Sequence, residues 1–74
     1  MNITSIYGDN LDIGNWIYLN GDYEIIGINT KKGIITAREI FFHNNRYEYG
    51  EIREFTKNEI SGAELNIDLW EKYN

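Results

Sequence analysis

The chain has 74 residues, one His and no Cys, and its 12 acidic against 7 basic side chains give a net charge of −5. That length allows a single domain spanning 1–74, which hides only about 60% of the unfolded surface. The missing thiols exclude disulfides, a thiolate zinc site and a cysteine nucleophile, and the lone His excludes a multi-His metal centre.

Thirteen Ile and eleven aromatics with no Val load the chain with residues that favour sheet. Met1–Ser5 carries neither a basic nor a long apolar segment, so the reading has no leader peptide. Gly8-Asp9-Asn10 marks a first loop. Asn20-Gly21 lies between Trp16-Ile17-Tyr18-Leu19 and Asp22-Tyr23-Glu24-Ile25-Ile26; an Asn-Gly pair between apolar runs signals a two-residue hairpin turn. The spacing predicts strands over about 15–19 and 22–29. Thr30-Lys31-Lys32-Gly33 then suits a four-residue turn closed by Gly. A strand over about 34–42 ends at the turn His43-Asn44-Asn45, and one over about 46–55 carries Gly50 inside it, as a bulge or bend would. The tail changes period: Leu65, Leu69, Trp70 and Tyr73 fall at helical spacing behind Asn66 as N-cap. Ser61-Gly62-Ala63-Glu64 reads as a capping box for a longer helix, but Gly62 and Asn66 weaken it. The expected fold is mainly β: a small SH3-like bent barrel or a meander of 4–5 antiparallel strands with a short C-terminal helix. A bent barrel is preferred because closure removes exposed edges, and an open sheet crossed by one helix comes second.

A two-residue turn at Asn20-Gly21 sets Tyr18 opposite Tyr23, Trp16 opposite Ile25 and Ile17 opposite Glu24. The turn at 30–33 sets Ile28 opposite Ile35 and Ile26 opposite Ala37. One face then holds Ile17, Leu19, Ile26, Ile28, Ile35 and Ala37. The other holds Trp16, Tyr18, Tyr23, Ile25 and Ile34, and must be hidden by the tail helix, by self-contact or by a partner.

Candidates for chemistry are thin, and no cofactor or metal is expected. The acidic run Tyr47-Glu48-Tyr49-Gly50-Glu51-Ile52-Arg53-Glu54 offers paired carboxylates, but acid–base catalysis needs them converging in a pocket. A solvated edge strand accounts for the same letters. His43 beside a turn has Ser5 or Ser61 as nucleophile only by tertiary coincidence. Asp9-Asn10-Leu11-Asp12 lacks the alternating ligands and distant Glu of a calcium loop.

Charge is unevenly spread. Residues 1–30 carry four acids and no base, residues 47–74 carry seven acids against three bases, and Lys31, Lys32, Arg38 and Arg46 give the segment between +3 after Glu39. That segment, with Phe41, Phe42 and Tyr47, is the candidate platform for single-stranded nucleic acid. The acidic whole is repelled by nucleic acid at long range and steered toward basic protein surfaces.

At Leu11-Asp12-Ile13-Gly14-Asn15-Trp16-Ile17-Tyr18, followed by Asn20-Gly21 and Tyr23, the chain resembles small proteins of bacterial phages and integrated mobile elements. These open with a Leu-x-Ile-Gly-Asn stretch and a short Gly turn. Leu65-Asn66-Ile67-Asp68-Leu69-Trp70-Glu71-Lys72 looks like their ending, with Asn66 where Thr is usual and Gly62-Ala63 where Pro is common. The resemblance covers both ends and leaves 29–60 unmatched. It implies a short β barrel with a terminal helix and a phage context, and supplies no catalytic residues.

The expected function is non-enzymatic: a phage-encoded accessory protein acting by protein–protein contact in the host cytoplasm, an anti-CRISPR-like anti-defence inhibitor being the sharpest form. Trp16, Tyr18, Tyr23 and Trp70 are the expected anchors, with Glu48, Glu51 and Glu54 steering a host protein with a basic surface. No membrane contact is expected, since no apolar run approaches the roughly 20 residues of a span. The alternatives are a nucleic-acid-binding barrel using Lys31, Lys32, Arg38 and Arg46, and a homodimeric structural or assembly module.

Overall fold

Asn20 takes a left-handed φ of 52°, a conformation Asn adopts more readily than most side chains, and the turn around it sets the register of the sheet. The computed structural model describes residues 3–74; the leader-free reading of the N-terminus includes Met1 and Asn2, which lie outside them. The turn joins β3 (Trp16–Tyr18) to β4 (Asp22–Asn29). Tyr18 stands opposite Asp22, Ile17 opposite Tyr23 and Trp16 opposite Glu24. Leu19 thus belongs to the turn with Asn20 and Gly21, and its N–H donates to the Gly21 carbonyl at 2.8 Å. This corrects the expected Tyr18–Tyr23 pairing by one residue, and a one-residue slip exchanges faces. Tyr23 and Ile25 therefore join Ile17 in the interior, while the Trp16 face receives Glu24.

The link from β4 to β5 (Ile34–His43) is the four-residue turn the sequence predicts, with Gly33 at φ 64° and Ile28 opposite Ile35. A bulge between Ile25 and Gly27 then changes the register, so Ile25 rather than Ile26 opposes Ala37. Ile26 thereby leaves the aliphatic interior. The turn at Asn44-Asn45, with Asn44 at φ 53°, leads into β6 (Arg46–Thr56). Arg38 opposes Ile52 and Ile40 opposes Tyr49, which leaves Gly50 and Glu51 facing Glu39 alone. This is the bulge expected at Gly50, and it needs Gly: a Cβ there would run into the Phe41 ring and come within 3.1 Å of the Glu39 Cβ.

Thr56-Lys57-Asn58-Glu59 starts α1 (Lys57–Ile60) with a complete capping box. The Glu59 N–H donates to the Thr56 Oγ1 at 3.3 Å, and the Thr56 N–H donates to the Glu59 carboxylate at 3.0 Å. The chain then forms β7 (Glu64–Leu65) and α2 (Ile67–Tyr73), so the shorter tail helix forms and the Ser61–Glu64 start does not. Asn66 occupies the N-cap position without a side-chain cap bond. Its Nδ2 donates instead to Asp22 Oδ1 at 2.9 Å, tying the helix entry to β4.

β7 pairs antiparallel with the free side of β3, giving the order β6-β5-β4-β3-β7. Among the described residues neither end of that order is paired, so the sheet is an open meander rather than a closed barrel. The segment read as a first loop is partly strand: β1 (Ile3–Thr4) and β2 (Asn10–Leu11) make a second ladder. Ile3, Leu11, Ile60 and Ala63 come from these covering pieces and bury Ile17, Tyr23, Ile25, Ile35 and Ala37. Burying one such Ile or Tyr side chain contributes roughly 1.5–3 kcal/mol, and this core lies wholly on one side of the sheet.

Candidate functional site

The sheet's other side is built around a carboxylate. Trp16, Glu24 and Arg38 are aligned across β3, β4 and β5 by register, which places a ring, an acid and a base side by side. The Trp16 Nε1–H donates to Glu24 Oε2 at 3.1 Å, the Arg38 Nε–H donates to Oε1 at 2.8 Å, and the Tyr49 hydroxyl reaches Oε2 at 3.3 Å. A second Arg38 nitrogen lies 2.6 Å from the same Oε1. The guanidinium sits 3.5 Å above the Tyr49 ring centroid, a cation–π stack. The bond to Glu24 raises the Arg38 pKa. Partial burial, and after it the neighbouring Tyr47, pushes the Tyr49 phenol up. Both groups stay protonated at neutral pH, so Glu24 is bonded at both oxygens and serves as a structural hub.

Beside this hub, Trp16 packs edge-on against Tyr47 at 4.9 Å and tilted against Phe42 at 5.7 Å. α2 crosses the end of the cluster and lays Tyr73 on Phe42 at 5.0 Å. The Tyr73 hydroxyl donates to the Asn44 carbonyl at 3.1 Å. Each such aromatic pair adds about 0.5–1.5 kcal/mol beyond its buried area. The tail helix thus covers the aromatic side, one of the three outcomes the sequence allowed.

The covering is incomplete. Between α2 and the loop at 12–15 runs an open groove of about 440 Å³ walled by Ile13, Leu65, Ile67 and Trp70, with Glu71 at its rim. Ile13 is 60% exposed, Ile67 55% and Trp70 46%. The loop is held in place: the Asp12 N–H donates to Asn15 Oδ1 at 2.7 Å, and the Gly14 N–H donates to the Ile25 carbonyl at 2.8 Å. Asp12, Glu64 and Asp68 each adjoin a wall residue in sequence and are exposed.

The expected contact residues divide three ways. Trp16 and Tyr23 are buried, Trp16 under α2 in the lining of the groove and Tyr23 against Phe55 at 5.1 Å, so each presents little surface to a partner. Tyr18 and Trp70 are exposed, on the β3–β7 side of the sheet. Glu48, Glu51 and Glu54 are exposed on β6, at the opposite edge. The sequence reading missed Ile13 and Ile67, and the available signal was an Ile alone among turn and cap residues.

The chemical candidates are placed without converging. His43 lies 3.9 Å from the exposed Glu48. Ser5 is buried, and its Oγ accepts from the Tyr7 and Asp9 N–H groups at 3.2 Å. Asp12 Oδ1 accepts from the Ile13 N–H at 2.8 Å, which makes the acidic loop a self-bonded turn. Among the described residues no three His, Asp or Glu side chains gather into a metal-binding group, and no helix is long and apolar enough to cross a membrane. No protein-family model, curated protein or solved structure matches the chain.

Proposed function

We propose that this protein is a non-enzymatic accessory protein of the kind phages encode, acting in the host cytoplasm by docking onto a host protein, with inhibition of a defence system as its specific form. The α2 groove carries the reading. It presents Trp70, Ile67 and Ile13 as apolar contacts, and large aromatics in such positions dominate binding energy. Glu71 in its lining, in a chain of net charge −5, suits a partner that is basic at its rim and apolar at its centre. The exposed Tyr18 extends the same side of the molecule.

The nucleic-acid alternative has less geometric support. Lys31 and Lys32 sit at the β4–β5 turn and Arg46 at the β5–β6 turn, separated by the ten residues of β5, or roughly 30 Å at strand rise. Arg38 between them is bound to Glu24.

The test is capture of host proteins on the immobilised chain, run beside Trp70→Ala, together with phage survival in cells expressing each. The expected result is one specific protein retained by the native chain, lost with Trp70→Ala, and a matching loss of protection for the phage. Failure to retain any specific protein, with phage survival unchanged, overturns the reading.

A further inference from the structure

β6 is the longest strand, eleven residues, and it forms a free edge of the sheet with every residue but Tyr47 and Phe55 exposed. An edge of that length offers a row of unpaired backbone groups to any strand laid beside it. Successive residues of an antiparallel strand alternate between bonding the neighbour and pointing their N–H and C=O away. The Lys57 N–H donates to the Gly33 carbonyl at 2.8 Å, so Lys57 faces β5. Counting back, Thr56, Glu54 and Ile52 point their backbone groups outward. The Thr56 N–H is already taken by the Glu59 carboxylate at 3.0 Å, which leaves Glu54 and Ile52 free. Counting from the pair His43–Arg46 that closes the two-residue turn, Tyr47 and Tyr49 do the same. The bulge at Gly50-Glu51 separates these two outward pairs.

We propose that the β6 edge is a self-complementary surface on which a second copy of this chain adds antiparallel, about a two-fold axis between Gly50 and Glu51. In that register Tyr49 meets Ile52 of the second copy, Tyr47 meets Glu54, and all four outward residues find outward partners. The bulges meet two residues against two, so the count stays matched across them. Tyr49 is 41% exposed and Ile52 64%, and the pairing covers both. Glu48 falls opposite Arg53 of the second copy, twice by symmetry, where opposite charges stabilise a sheet. Other registers lack this fit. A shift of one residue sets Glu48 against Glu54 and Glu51 against itself; a shift of two the other way sets Arg46 against Arg53 and Glu48 against Glu51. β6 lies on the opposite edge from β7 and the α2 groove, so this contact is separate from the proposed host contact.

The chain has no cysteine, so two single variants locate the register. A facing pair that does not hydrogen-bond has Cα atoms about 4.5 Å apart, within disulfide reach. Mixed and oxidised, Glu48→Cys and Arg53→Cys are expected to cross-link with each other about tenfold or more faster than either does with itself, as their local concentration in the dimer requires. Sedimentation of the native chain up to about 1 mM, the range of a weak association, is expected to show a monomer–dimer equilibrium. Arg53→Glu alone should abolish it and Glu48→Arg with Arg53→Glu should restore it, circular dichroism confirming that each is folded. A monomer throughout, equal self-cross-linking, or a dimer that survives Arg53→Glu overturns the proposal.

Discussion

With a side chain only 15% exposed, Glu24 holds donors from Trp16, Arg38 and Tyr49, so what replaces it decides whether they keep partners. Ala leaves the Trp16 indole N–H and the Arg38 charge without their acceptor; Gln keeps the shape and one acceptor oxygen but removes the charge. A hydrogen bond to a charged group contributes about 1.5–3 kcal/mol, and Arg38, about one-third exposed, recovers part of its loss from water. Glu24→Ala is expected to cost about 2 kcal/mol and Glu24→Gln about 1 kcal/mol by urea unfolding. Adding Arg38→Ala to Glu24→Ala should cost less than the two singles summed, because residues of one network couple. Full additivity would show that the ion pair contributes nothing.

At the scale of elements, what the sequence revealed depended on whether the signal was local. The turn at 30–33, the bulge at Gly50 and the helix over 67–73 are written in adjacent residues, and each forms where the sequence places it. The hairpin at Asn20-Gly21 forms too, but its register is one residue off because Leu19 enters the turn, a choice made by packing Tyr23 and Ile25 on the core. That shift carries Tyr23, expected as an anchor, onto the core. Trp16 is buried separately, by Phe42, Tyr47 and Tyr73, and Ile13 and Ile67, outside the hairpin, lie on the surface. α1 is written in Thr56–Glu59, a capping box that the sequence reading missed beside Ser61–Glu64, which it weighs for a longer tail helix and sets aside. Since the Thr56 side chain accepts the Glu59 N–H, Thr56→Ala is expected to lower stability by about 1 kcal/mol. The loss should reach Ile60, fully buried one turn on, and show as faster amide exchange in 57–63 than elsewhere. Uniform exchange across the chain would mean that the cap does not hold α1 locally.

For the whole molecule, the acid side of the stability curve combines carboxylates that pull in opposite directions. The Thr56 backbone and hydroxyl bonds hold Glu59 below its ordinary value of 4.5. Its contribution is therefore present above 4.5 and lost as pH falls through the lower folded value. Burial raises Asp22 above 3.8, and the Asn66 amide offsets this only in part. A folded state that holds its proton more tightly is favoured below 3.8, and that contribution is lost as pH rises through the raised folded value. At neutral pH the charged Asp22 thus works against folding in a chain already at −5. Asn at this position keeps an oxygen for the Asn66 amide and carries no charge. Asp22→Asn is expected to raise the urea midpoint at pH 7, with the gain shrinking as pH falls and gone below 3.8. A gain that persists undiminished into acid would place its origin in packing rather than in the carboxylate's charge. A midpoint lowered at pH 7 would show that the ionised Asp22 is worth more to the Asn66 bond than its burial costs.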